Sequence, residues 1–132
     1  MVVTFYEKPG CSTNAKQKKS LLEAGCMIIE RNLLENGMSK DELYEFLQEL
    51  PTPQWFNPNS PKIKNRELDT EVMFENEILE LFIKEPILIN RPLLIINGKK
   101  MCGFNQEKIE SLLNSKLESK ISNSCSHSKN RE

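Results

Sequence analysis

The sequence has little that would point to a membrane, to nucleic acid or to an extracellular compartment. None of its apolar runs approaches the ~20 residues needed to span a bilayer, so we expect no association with a membrane. The formal net charge is −1, and no strongly basic surface predicts binding to nucleic acid. The first residues lack the basic segment and cleavage site of a secretory signal, so we expect a cytoplasmic protein.

Cysteines are few, and their spacing excludes the usual structural roles. The 4 cysteines form no CxxC pair and no zinc-like ligand spacing, so we predict no metal site. Thiols in the cytoplasm are normally reduced, which argues against a disulfide scaffold. Cys26 and Cys102 lie in strand-like patterns, and we interpret both as inert core thiols.

The first part of the chain has the pattern of a βαβ unit. Residues 2–6 form a β-branched and aromatic run that predicts a central strand, and residues 26–30 predict a second one. Between them, residues 12–24 predict a helix with Ala15, Leu21 and Leu22 as its apolar contacts. A strand, a helix and a strand within ~30 residues imply parallel pairing with a right-handed crossover.

The rest of the chain predicts a helical insert followed by a ββα unit. The capping box Ser39–Glu42 opens the insert, which extends over about residues 39–85. A second helix is predicted from a cap at Asp69 or Thr70, with an apolar stripe that begins at Phe74. Asn97-Gly98 between two apolar runs indicates a type I′ hairpin. Asn105 is expected to be the N-cap of a last helix. In the insert, the aromatic residues Trp55 and Phe56 are expected to anchor a loop in the core.

Together these elements predict an α/β, thioredoxin-like fold. The βαβ and ββα halves would surround a four-stranded mixed sheet, with the helical insert between them. We assign residues 1–115 to this domain and residues 116–132, rich in Ser, Lys and Asn, to a flexible polar tail.

Cys11 is the first candidate for a functional residue, because it follows Pro9-Gly10 where a helix is predicted to begin. Unpaired N–H groups and the helix dipole at such a position favour a thiolate over a thiol. The hydroxyls of Ser12 and Thr13 would be additional donors. The alternative is that Cys11 is only a small buried side chain.

Three motifs carry a resemblance to a known family. They are the cysteine loop 7–14, the insert opening 39–43, and Pro86-Ile87-Leu88-Ile89-Asn90-Arg91-Pro92-Leu93 before the third strand. The chain resembles the arsenate reductase family of thioredoxin-fold proteins, and is most similar to its nitrogenase-associated branch.

The resemblance implies roles for individual residues. Cys11 would be the nucleophile that attacks an oxyanion, and Arg91 would face that anion beside a cis Pro92. We therefore name Cys11 and Arg91 as catalytic candidates and Ser12, Thr13, Asn14 and Pro92 as substrate-binding candidates. Two of these also have structural interpretations, since Asn14 fits a local capping group and Arg91 a surface charge next to a structural proline.

The reductases of this family carry two further arginines around the anion, and this chain lacks both. One would fall near residues 55–57 and the other near residues 102–104, and neither segment contains an arginine. An amide or a glycine does not replace a bidentate, charge-assisted donor. The sequence therefore argues against arsenate itself as the substrate.

Two functions from different classes are consistent with these features. The first is a thiol oxidoreductase with a single nucleophilic cysteine, no bound cofactor, and glutathione or glutaredoxin as electron donor. Its partners would be a small oxyanion or thiol substrate and a redox partner. The second is a non-enzymatic binding or regulatory protein, similar to Spx-type regulators or assisting a nitrogenase-related protein. We leave enzymatic activity undecided, with the oxidoreductase favoured.

Cys125, in the predicted tail, has two interpretations. It is either a solvent-exposed bystander or a thiol that returns to an oxidised Cys11, since a tail of about ten residues reaches ~15–20 Å.

Overall fold

The computed structural model describes residues 1–117, so the predicted tail lies outside the described residues from residue 118 onward. It contains four strands and five helices within that range. They are β1 (Val2–Glu7), α1 (Ser12–Glu23), β2 (Met27–Asn32), α2 (Lys40–Leu47), α3 (Pro61–Lys64), α4 (Glu75–Lys84), β3 (Leu93–Ile96), β4 (Lys99–Cys102) and α5 (Gln106–Leu113). Short 3₁₀ turns cover Leu33–Glu35, Thr52–Trp55 and Pro86–Leu88.

The four strands form one mixed sheet in the order β2-β1-β3-β4. β1 is central, parallel to β2 and antiparallel to β3, and β3 pairs antiparallel with β4. The predicted mixed four-stranded sheet and the helical insert between its halves are confirmed. This is the thioredoxin-like arrangement expected from the sequence.

Each face of the sheet is covered by its own buried cluster. On one face Val3 and Phe5 of β1 pack in a cluster that includes Leu21 of α1 and Ile109 of α5. On the other face Leu93 belongs to a cluster built mainly from the insert, with Leu43, Phe46, Leu47, Trp55, Phe56 and Phe82 among its buried members. The predicted core position of Trp55 and Phe56 is thereby confirmed. No helix within residues 1–117 is long and apolar enough to cross a membrane.

Several local signals in the sequence produce the predicted structures. Ser39 is the N-cap of α2 and forms a complete capping box with Glu42. Asn97 and Gly98 both have positive φ, 52° and 79°, as a type I′ turn requires. The Asn105 side chain accepts a hydrogen bond from the Lys108 N–H and caps α5.

Two predictions about helix faces are wrong. Ala15 and Leu22 are exposed, and the buried residues of α1 are Thr13, Asn14, Gln17, Ser20 and Leu21. Part of this buried face is polar because Asn14 bonds to the Lys8 N–H of the cysteine loop and to the Gln17 side chain. Helix α4 begins at Glu75 rather than near Thr70, and Phe74 is its N-cap residue with 76% of its surface exposed.

A cluster of ion pairs joins the insert to the last strand and helix. Glu49, just after α2, pairs with Lys99 of β4 and Lys108 of α5, while Glu45 pairs with Lys100. Hydrogen bonds from Lys108 and Lys99 lower the pKa of the Glu49 carboxyl to about 2. All of these groups lie at the surface, so their attraction is screened by water and salt.

We expect Glu49→Gln to reduce the free energy of unfolding at pH 7. The pKa of Glu49 is depressed in the folded state, so the ionised carboxyl stabilises the fold above its ordinary value of 4.5. That stabilisation is lost as the pH falls toward 2. Urea unfolding from pH 7 to pH 2.5 should therefore show the difference between parent and variant shrinking. Glu71→Gln, at an exposed carboxyl outside this cluster, is the control; a difference that is constant with pH would contradict the assignment.

We expect Phe74→Ser to be more stable than Phe74→Ala. Both remove an exposed ring, but only serine has an oxygen that accepts a hydrogen bond from the first turn of α4, where Phe74 makes no side-chain cap. The Phe74 N–H already donates to Glu77 at 2.8 Å, so serine would complete a capping box. Thermal unfolding should favour the serine variant by ~1 kcal/mol. Equal melting temperatures would show that α4 does not use this cap.

Candidate functional site

Three chain segments meet at one end of the sheet. The register of β1 with β3 pairs Tyr6 with Leu93, so the loop after β1 lies beside Arg91-Pro92. The register of β3 with β4 pairs Leu93 with Cys102, and the Gly103 N–H donates to the Pro92 carbonyl at 2.8 Å. Neighbouring strands are ~4.8 Å apart, so these segments form one continuous surface.

The cysteine loop is a tight turn that places Cys11 at the start of α1. Gly10 has a φ of 85°, which favours glycine, and the Cys11 N–H donates to the Lys8 carbonyl at 3.1 Å. Cys11 is the N-cap residue of α1, and its Sγ accepts a hydrogen bond from the Asn14 N–H at 3.5 Å. The predicted position of Cys11 at a helix N-terminus is confirmed.

The sulfur of Cys11 differs chemically from those of Cys26 and Cys102. Cys11, Cys26 and Cys102 are all buried, with 6%, 6% and 8% of their surfaces exposed, but Cys11 is disulfide-bonded while Cys26 and Cys102 are free thiols. Burial raises the pKa of the Cys26 thiol, and it raises the pKa of Cys102 to about 12. Neither free thiol is therefore ionised near neutral pH, which agrees with the prediction that both are core thiols.

Asn14 is fully buried and holds the cysteine loop to α1. Its Oδ1 accepts a hydrogen bond from the Lys8 N–H at 3.3 Å, and its Nδ2 donates to Gln17 Oε1 at 2.9 Å. Both ends of the amide are thus engaged within the chain, but neither contact caps α1, whose N-cap residue is Cys11. Of the other predicted loop donors, Thr13 is buried and Ser12 is exposed.

Arg91 is the most unusual buried residue near the site. The Arg91-Pro92 peptide is cis, as the resemblance implied, and only 1% of the Arg91 surface is exposed. Its Nη1 lies 3.4 Å from the Ile87 carbonyl, and its Nε makes no hydrogen bond within residues 1–117. Burial lowers the pKa of the guanidinium to about 10. The alternative in which Arg91 is a surface charge is therefore wrong.

No acidic side chain within residues 1–117 forms an ion pair with Arg91. A buried cation without a counter-charge is costly, since water no longer solvates it. An anionic ligand would supply the missing charge and additional hydrogen-bond acceptors.

Residues 55–57 and 102–104, the two segments in which this chain lacks an arginine of the family, both lie at this site. The Asn57 N–H donates to the Leu88 carbonyl at 2.7 Å, and the Asn90 N–H donates to the Trp55 carbonyl at 2.8 Å, so residues 55–57 run beside residues 88–90. Asn57 is 1% exposed, and its Nδ2 makes no hydrogen bond within residues 1–117. Asn57 was not predicted to be a hydrogen-bond donor of the site, although residues 55–57 were noted for their missing arginine.

A cleft of about 350 Å³ opens beside this surface. Gln54, Phe56, Asn90, Cys102, Gly103 and Phe104 are among the residues that line it. Within residues 1–117 no group of three or more His, Cys, Asp or Glu side chains forms a metal site. The arrangement offers a sulfur at a helix N-terminus, a buried cation and a half-apolar cleft.

Comparison with known proteins agrees with this arrangement. The ArsC family model matches residues 6–112. An uncharacterised 15.7 kDa protein in the draG 3′ region of Rhodospirillum rubrum is 33% identical, over 83% of this chain and 76% of that protein. The regulatory protein MgsR of Bacillus subtilis is also 33% identical, over 83% of this chain and 89% of MgsR. A crystal structure of an ArsC family related protein from Bacteroides fragilis superposes with a TM-score of 0.72 at 28% identity, covering 85% of this chain and 99% of that one.

We expect Asn14→Ala to destabilise the fold by ~1–3 kcal/mol, because it leaves the Gln17 oxygen and the Lys8 N–H without this partner. Lys16→Ala, on the exposed side of the same helix, should change stability by less than ~0.5 kcal/mol. Guanidinium unfolding of both variants measures the two effects. Equal stabilities would mean that the loop does not depend on the Asn14 amide.

Proposed function

This chain belongs to the ArsC family, and from that premise we propose that it is a thiol oxidoreductase in which Cys11 attacks a small anionic substrate held by Arg91. The observation that carries this proposal is the uncompensated guanidinium of Arg91. It is buried at the same end of the sheet as Cys11 and has no carboxylate partner within residues 1–117. A protein that keeps such a charge loses stability unless a ligand neutralises it.

The cysteine loop supplies the second requirement, a reactive sulfur. The N-terminus of α1 stabilises negative charge on Cys11 in the reduced protein, through the Asn14 N–H and the helix dipole. The reduced Cys11 thiolate would attack the electrophilic atom of the substrate and form a covalent adduct. A second thiolate, from glutathione or a glutaredoxin, would then attack the Cys11 sulfur and form a mixed disulfide with it, while the reduced product leaves with the electron pair of the bond to Cys11. A further thiolate would attack the second thiol's sulfur in this mixed disulfide and release the Cys11 thiolate.

The absence of arginine near Asn57 and Gly103 restricts the substrate. One guanidinium neutralises about one negative charge, and the Asn57 amide adds only a neutral donor. This favours a singly charged electrophile, or a small disulfide that carries a carboxylate, over arsenate. The nearby cleft is lined by neither Cys11 nor Arg91, so the choice of substrate rests on the charge of the site alone.

A binding or regulatory role is the second candidate. It is favoured by the missing arginines and by the likeness to proteins named as regulators, MgsR and the Spx of Streptococcus mutans, which is 26% identical over 85% of this chain and 83% of Spx. In that role the same surface would recognise a partner protein, and Cys11 would need no enhanced nucleophilicity.

The test measures alkylation of reduced Cys11 by iodoacetamide, followed by peptide mass mapping, with and without acetate as an unreactive, singly charged carboxylate. Acetate should slow alkylation of the parent relative to chloride at equal ionic strength. It should have no effect on Arg91→Met, while Arg31→Met, at an exposed arginine of β2, should behave like the parent. Arg91→Met should also be more stable by ~1–3 kcal/mol, because methionine fills the space without an unpaired charge.

The pH dependence of the same reaction separates the two candidates. A midpoint below the ~8.5 of an ordinary cysteine supports a catalytic thiol. A midpoint at that ordinary value, with no protection by acetate, would overturn the oxidoreductase proposal and leave the binding role. Cys11→Ser should remove the labelled peptide altogether.

A further inference from the structure

We propose that Lys8 binds the carboxylate of the small thiol that forms a mixed disulfide with Cys11, so that the site exchanges with anionic thiols in preference to neutral or cationic ones. The inference rests on the proposed nucleophilic role of Cys11 and deepens it, because it assigns a charge to the reducing thiol and a residue that recognises it. Glutathione, which carries carboxylates, belongs to this class of thiols.

A β-turn holds Lys8 next to Cys11. The Cys11 N–H donates to the Lys8 carbonyl at 3.1 Å, and Gly10 has the positive φ, 85°, that a type II turn requires. The Lys8 N–H donates to the buried Asn14 Oδ1 at 3.3 Å, so both backbone polar groups of Lys8 are fixed. The first and last Cα atoms of a β-turn are less than ~7 Å apart, a distance that a lysine side chain spans.

The positive charge of Lys8 is not cancelled within residues 1–117. None of the ion pairs among these residues includes Lys8. Lys18 of α1, by contrast, pairs with Glu7 at 2.8 Å and with Glu30 at 2.6 Å, so its charge is already neutralised. Lys8 therefore keeps a charge with which a carboxylate from outside the protein can pair.

Lys8 is better placed than the other cations to meet a reactant at the Cys11 sulfur. Arg91 has only 1% of its surface exposed and lies inside the protein, whereas Lys8 is half-buried and keeps contact with solvent. Lys16 and Lys19 are exposed on α1, but they lie ~8 Å and ~12 Å along the helix axis from Cys11. Within the described part of the chain, a thiol that approaches the loop from solvent therefore meets Lys8 as the nearest unpaired cation.

The reaction that Lys8 favours is a thiol–disulfide exchange. The Cys11 thiolate attacks one sulfur of a small disulfide, an S–S bond forms between them, and the other half leaves as a thiolate with the electron pair of the broken S–S bond. In the reverse direction a small thiolate attacks the mixed disulfide and releases the Cys11 thiolate. Both directions pass through the same transition state, so its charge preference can be measured with disulfides.

The experiment uses the reduced full-length chain and three small disulfides of different charge. Dithiodiglycolate is anionic, hydroxyethyl disulfide is neutral, and cystamine is cationic. The initial rate at which each disulfide consumes the Cys11 thiol is measured by quenching with N-ethylmaleimide and peptide mass mapping. The rate with a charged disulfide is divided by the rate with the neutral one in the same protein, which cancels any effect of a substitution on the thiolate fraction.

Lys8→Met should lower the ratio for dithiodiglycolate by ~3-fold and raise the ratio for cystamine by a similar factor, as one unit charge at ~7 Å in water predicts. The measurement is made at ~0.01 M ionic strength, where the Debye length is ~30 Å, and both changes should shrink at ~1 M. Lys8→Arg keeps the charge and should keep both ratios of the parent. The matched control is Lys116→Met, which removes an exposed lysine beyond the far end of α5 and should leave both ratios unchanged.

Two kinds of result would contradict the inference, and they differ in what they leave standing. Parent ratios in Lys8→Met, or changes of the same size in Lys8→Arg or Lys116→Met, would show that the charge of Lys8 does not select the thiol, while Cys11 would remain a nucleophile. Failure of all three disulfides to react with Cys11 of the parent would overturn both this inference and the proposed function.

Discussion

The antiparallel pairing of β1 with β3 is the constraint on which the candidate site depends. Because Tyr6 lies opposite Leu93, the loop that follows β1 and the Arg91-Pro92 peptide that precedes β3 lie side by side. A shift of this register by one residue would turn Leu93 and Leu94 to the wrong faces of the sheet, where they would leave their buried clusters. The two hydrophobic clusters therefore fix the position of the site as well as the stability of the fold.

The end of the sheet that holds the candidate site also buries several polar side chains. Asn14 and Gln17 occupy buried positions on α1 that an amphipathic helix would give to apolar residues. They bond to each other, and Asn14 also bonds to the cysteine loop. Arg91 and Asn57 are equally buried, but each keeps a nitrogen without a partner within residues 1–117. Satisfied groups specify the shape of a loop, whereas unsatisfied donors favour a ligand that accepts their hydrogen bonds.

The sequence predictions that were confirmed concern interactions between residues close together in the chain. Ser39, Asn97-Gly98 and Asn105 act on residues one to four positions away, so their motifs could be read directly and were confirmed. Leu22 and Phe74 were wrongly placed on buried faces, because periodicity alone does not say what packs against a helix. Leu22 is 56% exposed for this reason, and Phe74 precedes α4 rather than lying within it.

The sequence by itself determined the strand–turn–helix that makes Cys11 an N-cap, since Pro9, Gly10 and the residues after them act locally on the backbone. It also indicated the thioredoxin-like order of elements through hydrophobic periods and turn residues. Only the tertiary structure decided that Arg91 is buried without a counter-charge among residues 1–117. It also decided that residues 55–57 lie beside residues 88–90 and that the Cys102 thiol stays neutral. Solvation and unpaired charge depend on atoms brought together from distant parts of the chain, and no local pattern records which atoms those are.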